Sequence, residues 1–291
     1  DIFDTSLDNE YKCQIMATIG GVYSNKENVT IDVKVDNSLC DNLIFEDNDE
    51  DILPMPTNYY SLLDDRITIK KGEILGGVTV QLTDDFFSDP LALSRNYVIP
   101  VVMSNLSGAD SILSGTPLVD NPKRGVSDDW DILPKDYVLY AVKYINKYDA
   151  NYLRSGKDEV SGGQTGTINR SFKYVEQSEV VDKISSRSLN TIAWEHRAED
   201  AEKNFRNSVL LLTFDDKGEC TIESETAGVT ASGTGKFVSK GEKNSWGNKD
   251  RDALYLNYTI DYGDIKIATT DTLIVRDRGV AREVFVSTLT N

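Results

Sequence analysis

The stretch "LLLTFDDKGECTIES", from Leu210 to Ser224, decides how the chain is read. Two strand-forming runs flank Asp216, Lys217 and Gly218, residue types that suit a tight turn, so the stretch reads as a β-hairpin. Working outward from it, period-two alternation and β-branched residues dominate, and sustained helical periodicity is scarce. Before the hairpin the spacing predicts strands over Arg187–Glu195 and Ser208–Phe214. After it come Glu219–Glu225, Thr234–Lys240, Ala253–Tyr262, Ile265–Val275 and Ala281–Thr288. With Thr165–Val175, these eight consecutive strands and their short connections predict an antiparallel barrel or a strongly curved sheet. The polar "EHRAEDAEKNFRN" between two strands reads as a solvated loop or helical turn.

The first half carries shorter strands at Lys12–Thr18, Val29–Val35, Ile67–Ile69, Gly77–Leu82, Tyr97–Ser104 and Tyr137–Lys143. Turn-forming clusters such as "EDNDED" and "SGTP" separate them. That spacing predicts an immunoglobulin-like β-sandwich, with a short helix in "NYYSLLDD". The Gly, Ser and Thr cluster "EVSGGQTGTINR" lacks apolar periodicity and places a domain boundary near Asp158. The expected organisation is all-β, with a sandwich over residues 1–157 and a barrel over 158–291.

Composition narrows the function classes. Lys and Arg total 31 against 48 acids, a formal charge of −17. A basic footprint for nucleic acid is missing, and so is a polybasic face for anionic lipid. No apolar run is long enough to span a bilayer. The chain begins "DIFDTSLDNEYKC" with no apolar leader, so any targeting segment is expected upstream of Asp1. Cys13, Cys40 and Cys220 are too scattered for a zinc site or a disulfide framework; they read as small buried residues or as one Cys13–Cys40 bridge.

His196 is the only histidine, which excludes multi-histidine metal sites, and it reads as an exposed loop residue. No phosphate-cradling loop, dinucleotide fingerprint or nucleophile elbow occurs, and no cofactor is implied. The Asp47 segment fails as an EF-hand because Ile52 and Asn58 stand where Gly and Glu are needed, leaving only a looser calcium site as an alternative. Asp129 and Asp131 flank Trp130 and form the most suggestive carboxylate pair for an alternative reading as a glycoside hydrolase.

Aromatic residues offer a different chemistry. Sugars stack on Trp or Tyr while polar side chains bind their hydroxyls. "GEKNSWGNKDRDALYLNYTI" places Trp246 beside Asn248, Asp250 and Arg251, then alternates. Leu254, Leu256, Tyr258, Ile260 and Tyr262 share a core face, and Tyr255 and Asn257 lie on the other. The candidate ligand-binding set is therefore Trp246, Tyr255, Asn257, Asn248, Asp250 and Arg251. In the competing reading, Trp246 closes the barrel end and Tyr255 packs on a neighbouring strand. Trp194 reads as core.

In the first half "LPMPTNYYSL", "GGVTVQLTDDFF" and "DWDILPKDYVLYAVKYINKYDANYLRSG" together resemble an uncharacterised domain of Bacteroidetes surface lipoproteins. "NSVLLLTFDDKGECTI", "ASGTGKFVSKGEKNSWGNKDRDALYLNYTI" and "TDTLIVRDRG" resemble the barrel-like domain that follows it. The resemblance implies an outer-membrane lipoprotein facing the outside of the cell, with its lipid anchor upstream of residue 1. It also implies polysaccharide-utilisation genes beside SusC-like transporters and SusD-like binders. The expected function is non-catalytic capture of an oligosaccharide or polysaccharide; a structural docking module in a surface complex is a further alternative. The resemblance assigns no ligand residues.

Overall fold

The structure is a computed structural model and describes residues 7–171, 181–280 and 283–290. Nearly all of its regular structure is β, in two compact units. One comprises residues 2–144 together with the C-terminal segment from 282, and the other residues 145–281.

The first unit contains β1 (Lys12–Thr18), β2 (Val29–Val35), β3 (Leu43–Phe45), β4 (Leu53–Pro54), β5 (Tyr60–Leu62), β6 (Arg66–Ile69) and β7 (Leu75–Leu82). These are followed by β8 (Tyr97–Ser107), β9 (Thr116–Pro117), β10 (Trp130–Ile132) and β11 (Tyr137–Val142). A sheet ordered β1-β7-β5 and a second ordered β11-β8-β2-β6, with β4 on β8, share one core. Alternation explains the pairing of layers. Ile15, Val78 and Val80 from the first sheet meet Ile31, Val33, Ile67, Ile99 and Val101 from the second, all buried. Each such side chain contributes about 1.5–3 kcal/mol on burial. The helix expected in "NYYSLLDD" is absent: Tyr60–Leu62 is an edge strand on β7, with Tyr60 buried and Ser61 exposed. Instead, a short helix, α1, spans Asp84–Ser88 and buries Phe86 and Phe87.

In the second unit follow β12 (Ala150–Gly162), β13 (Gly166–Arg170), β14 (Val181–Ser186), β15 (Thr191–Glu199) and β16 (Phe205–Phe214). Then come β17 (Glu219–Ser224), β18 (Thr230–Ser245), β19 (Lys249–Asp261) and β20 (Ile265–Asp277). Consecutive strands from β14 to β20 pair antiparallel, and β12 pairs with both β14 and β20. That last pairing closes an eight-stranded barrel, while β13 lies against the second half of β12. The β16–β17 turn forms as expected: Phe214 faces Cys220, Asp215 Oδ1 accepts from the amides of Lys217 and Glu219, and Gly218 takes a φ of +75°.

The units divide at Tyr144/Ile145, ahead of the boundary expected near Asp158, because Asp158 lies in the middle of β12. The Gly and Ser residues there mark the exit of a long strand and its hairpin. β15 begins at Thr191, after a turn at Arg187–Asn190, and runs on through His196 to Glu199. The segment expected as a solvated loop is thus half strand. β13 matches the start of the expected Thr165–Val175 strand, whose end lies outside the described residues. The last strand, β21 (Ser287–Leu289), does not join the barrel. It pairs with β3 in the first unit; the start of the expected Ala281–Thr288 strand lies outside the described residues.

The barrel interior is packed in layers. One end holds Ile192, Trp194, Leu210, Leu212, Leu254, Leu256 and Leu273, and the other holds Val160, Ala198, Ile265 and Ile267. Between them lie Arg154, Asp158, His196, Tyr258, Thr269 and Asp271, each at most 5% exposed. Inward-facing Gly156 makes room for this polar layer, since a Cβ there would come 2.2 Å from Asp271 Oδ1. Among the described residues, no helix is long and apolar enough to cross a membrane.

Candidate functional site

The polar layer inside the barrel is a buried network of paired charges, in which Arg170 Nε and His196 Nδ1 are buried without hydrogen-bond partners. Arg154 Nε donates to Asp271 Oδ2 at 2.9 Å, and Tyr258 donates to the same oxygen at 2.7 Å. Arg170 forms a two-pronged pair with Asp158 and reaches Asp271 Oδ1 at 2.7 Å. Thr269 donates to Asp158 at 2.7 Å. Two guanidinium groups thus pair with two carboxylates, and beside them burial raises the pKa of a third carboxyl, Asp182, against the pull of Arg154 and Arg170. His196 belongs to this network and is 1% exposed, which overturns its reading as a loop residue. Its Nε2 accepts from Arg154 Nη2 at 2.9 Å, which leaves the proton on Nδ1. Burial and the two arginine charges hold its pKa well below the ordinary histidine value.

With the interior filled, the accessible side chains of the barrel are those on its outer wall. Tyr255 and Asn257 point outward from β19, while Leu254, Leu256, Tyr258 and Ile260 are buried, as the alternation required. Neighbouring strands contribute outward residues in register with them. Thr213 faces Thr221, Thr221 faces Thr234, Thr234 faces Asn257, and Asn257 faces Thr270. One short polar side chain per strand therefore crosses β16 to β20. A parallel row runs Glu219, Lys236, Tyr255 and Thr272. Together the two rows border a hollow of about 810 Å³. Behind the rows, inward-facing Gly233 and Gly235 leave room for β19 side chains: a Cβ on either would lie 2.3 Å from Tyr258 Cβ or Leu256 Cδ2.

Tyr255 is anchored, its hydroxyl donating to Glu242 Oε1 at 2.7 Å. Burial, then the Glu242 carboxylate, pushes its pKa up to about 12, so the phenol is neutral and its ring fixed. Lys236 lies 3.3 Å from Glu219, so opposite charges cancel at the edge of the hollow.

The remaining sequence candidates cluster at the far tip of the β18–β19 hairpin. From Lys249, which faces Ser245 there, to Tyr255 is roughly 20 Å of strand. The Tyr255 hydroxyl reaches back toward that tip, to Glu242, which faces Arg251. Trp246 is half-buried, and the Arg251 guanidinium lies 3.8 Å from its ring centre, covering one face. Trp246 Nε1 and Arg251 Nε are both buried without hydrogen-bond partners, so stacking joins the two side chains. Asp250 is occupied with the chain itself: it accepts from the Asn244 amide and from Lys243 Nζ, both at 3.0 Å, and these hold its pKa below the usual carboxylate value. Asp252 similarly takes the Lys240 amide at 2.8 Å. Each acid pins a β18 bulge at a residue with positive φ, Asn244 or Lys240. Asn248 also has positive φ and is exposed in the turn.

Other sequence candidates have local roles. Asp129 accepts from the Lys123 amide at 2.7 Å, and Trp130 Nε1 donates to the Lys123 carbonyl at 2.9 Å, so this acid-aromatic segment folds a turn. Asp47 pairs with Arg95, and Asn48 bonds Glu50. Among the described residues, no group of three His, Cys, Asp or Glu is placed to hold a metal ion. All three cysteines are free thiols, which resolves the alternatives against a Cys13–Cys40 bridge. Sequence reading missed the threonine row, whose only local signal was an outward Thr recurring beside alternating core residues.

Comparison with known proteins places the chain. Residues 2–110 match the model of an N-terminal domain, and residues 147–279 match DUF5627, a domain of unknown function. Among curated proteins no match is found. A solved Bacteroides ovatus protein of unknown function is 46% identical, with a TM-score of 0.90 over 100% of this chain and 93% of that one. An auxiliary nutrient binding protein from Bacteroides thetaiotaomicron is 15% identical, with a TM-score of 0.39 over 91% and 82%. A Bacteroides ovatus protein assigned a carbohydrate-binding role is 10% identical, with a TM-score of 0.27 over 94% and 93%. The chain belongs to the same two-domain family as the 46% identical Bacteroides ovatus protein, with a DUF5627 domain forming its barrel.

Proposed function

We propose that this protein binds carbohydrate without cleaving it, on the outer wall of the barrel around Tyr255 and Asn257. The observation that carries the reading is the in-register row Thr213, Thr221, Thr234, Asn257 and Thr270 beside an anchored aromatic ring. Hydroxyl and amide groups offer donors and acceptors to sugar hydroxyls, and Tyr255 offers a flat apolar face. The lining acids have other work: Asp215 shapes the β16–β17 turn and Glu219 pairs with Lys236. The resemblance to surface lipoproteins supports placement on the outer membrane, facing outward beside a SusC- and SusD-like transporter, with a lipid anchor upstream. Titration calorimetry against a panel of plant and host glycans tests the reading. Tyr255→Ala and Asn257→Ala each weaken a binding glycan about tenfold or more, whereas Trp246→Ala leaves it within about twofold. Affinity that survives both of the first two substitutions would move the site elsewhere.

A further inference from the structure

The geometry of the wall points to a ligand more specific than carbohydrate in general: we infer a linear, neutral, β-linked polysaccharide lying across the strands, one sugar unit per strand. This rests on the carbohydrate-binding reading above. Three observations carry it.

The first is spacing. Five successive strands each present one short polar side chain in register. Adjacent strands lie about 4.8 Å apart, so the row advances by that step along the curved barrel wall, an arc of roughly 19 Å. The step is close to the advance per sugar in an extended β-linked chain, so each unit meets an equivalent hydroxyl or amide. A monosaccharide would use only one such position.

The second is relief. The row from Thr213 to Thr270 is made of small side chains, whereas Glu219, Lys236 and Tyr255 on the adjacent row are longer. The hollow of about 810 Å³ is bordered by both rows, and the longer side chains stand on one side of it. A chain lying in it places a sugar face toward Tyr255, while a branch on that side would meet those side chains.

The third is charge. Asp215, Glu219 and Lys236 border the hollow, and Lys236 is already paired with Glu219. Asp271, behind the wall, is consumed by Arg154, Arg170 and Tyr258. With a net charge of −17 on the chain, uronate-rich or sulfated chains are repelled, and no free cation row awaits their anionic groups in the hollow.

The test is a length series of β-linked gluco-, manno- and xylo-oligosaccharides from one to six units, with polygalacturonate and chondroitin sulfate as anionic chains. Affinity for at least one neutral series rises tenfold or more between two and five units and then levels. Thr213→Val, where the row leaves the hollow toward Thr191, lowers affinity for the five-unit chain several-fold more than for the two-unit sugar. Affinity independent of length, or preference for the anionic chains, overturns this inference while leaving the carbohydrate reading standing. Absence of binding by any glycan removes both.

Discussion

The Arg251 guanidinium lies 3.8 Å from the ring centre of Trp246, so the most conspicuous aromatic residue of the sequence is partnered by a side chain five positions along the same hairpin. Arg251 Nη1 also reaches the Arg276 carbonyl at 3.3 Å, which holds it in place over the ring. A cation-π contact at a half-buried site such as this contributes about 1 kcal/mol, enough to keep a ring face covered for most of the time.

Removing that cover has an optical consequence. Arg251→Ala exposes a face of Trp246, and acrylamide quenching of tryptophan fluorescence rises above the constant contribution of half-buried Trp130, since Trp194 is buried and unaffected. Loss of stability stays within about 1 kcal/mol. Unchanged quenching would show that the stacked pair does not persist in solution.

The buried network makes a larger prediction. Arg154→Met leaves Asp271 and Asp158 to share Arg170, an uncompensated charge at the centre of the barrel. Removing one partner of such a pair costs about 3–5 kcal/mol. Urea unfolding followed by far-UV circular dichroism measures it, and a loss below about 1 kcal/mol would contradict a closed, dry layer.

His196 sets a pH dependence. Folded, its imidazole stays neutral well below the ordinary value of 6.5, because burial and then Arg154 and Arg170 disfavour the charged form. Unfolded, it takes up a proton as pH falls through 6.5. The unfolded state binds more protons there, so stability rises with pH and is lost on acidification below 6.5. This residue adds a slope of up to about 1.4 kcal/mol per pH unit. His196→Gln, which keeps an acceptor for Arg154, flattens the curve between pH 6.5 and 5; an unaltered curve would exclude the role.

The thiols supply a chemical check. Burial pushes Cys13 and Cys40 up to about 11 and Cys220 up to about 12. Native protein at pH 8 therefore reacts slowly with a thiol reagent, and denatured protein releases three equivalents without reductant. A titre of one after denaturation would mean that two cysteines are bridged.

Much of this architecture was legible because β structure writes its burial into alternate residues. Leu254 to Ile260 could be sorted into core and surface positions, and the Asp216–Gly218 turn identified, from neighbours within a few positions. The edge strand at Tyr60–Leu62 was not, because three residues carry too little periodicity to outweigh helix-compatible composition. Asp250 looked like part of a ligand rim because an acid beside Asn and Lys reads alike whether it binds a sugar or a backbone bulge.

By itself the sequence determined an all-β chain, its principal strands, and which face of β19 is buried. Tertiary structure alone decided the rest, for one physical reason: sheet neighbours are set by hydrogen bonding between strands that lie far apart in sequence. Arg154 and Asp271 are 117 residues apart, and Arg154 and His196 are 42 apart, yet each pair touches inside the closed barrel. The row from Thr213 to Thr270 exists only once five strands take their register. The proposed site keeps Tyr255 and Asn257 from the sequence candidates and adds a surface that no short window of sequence contains.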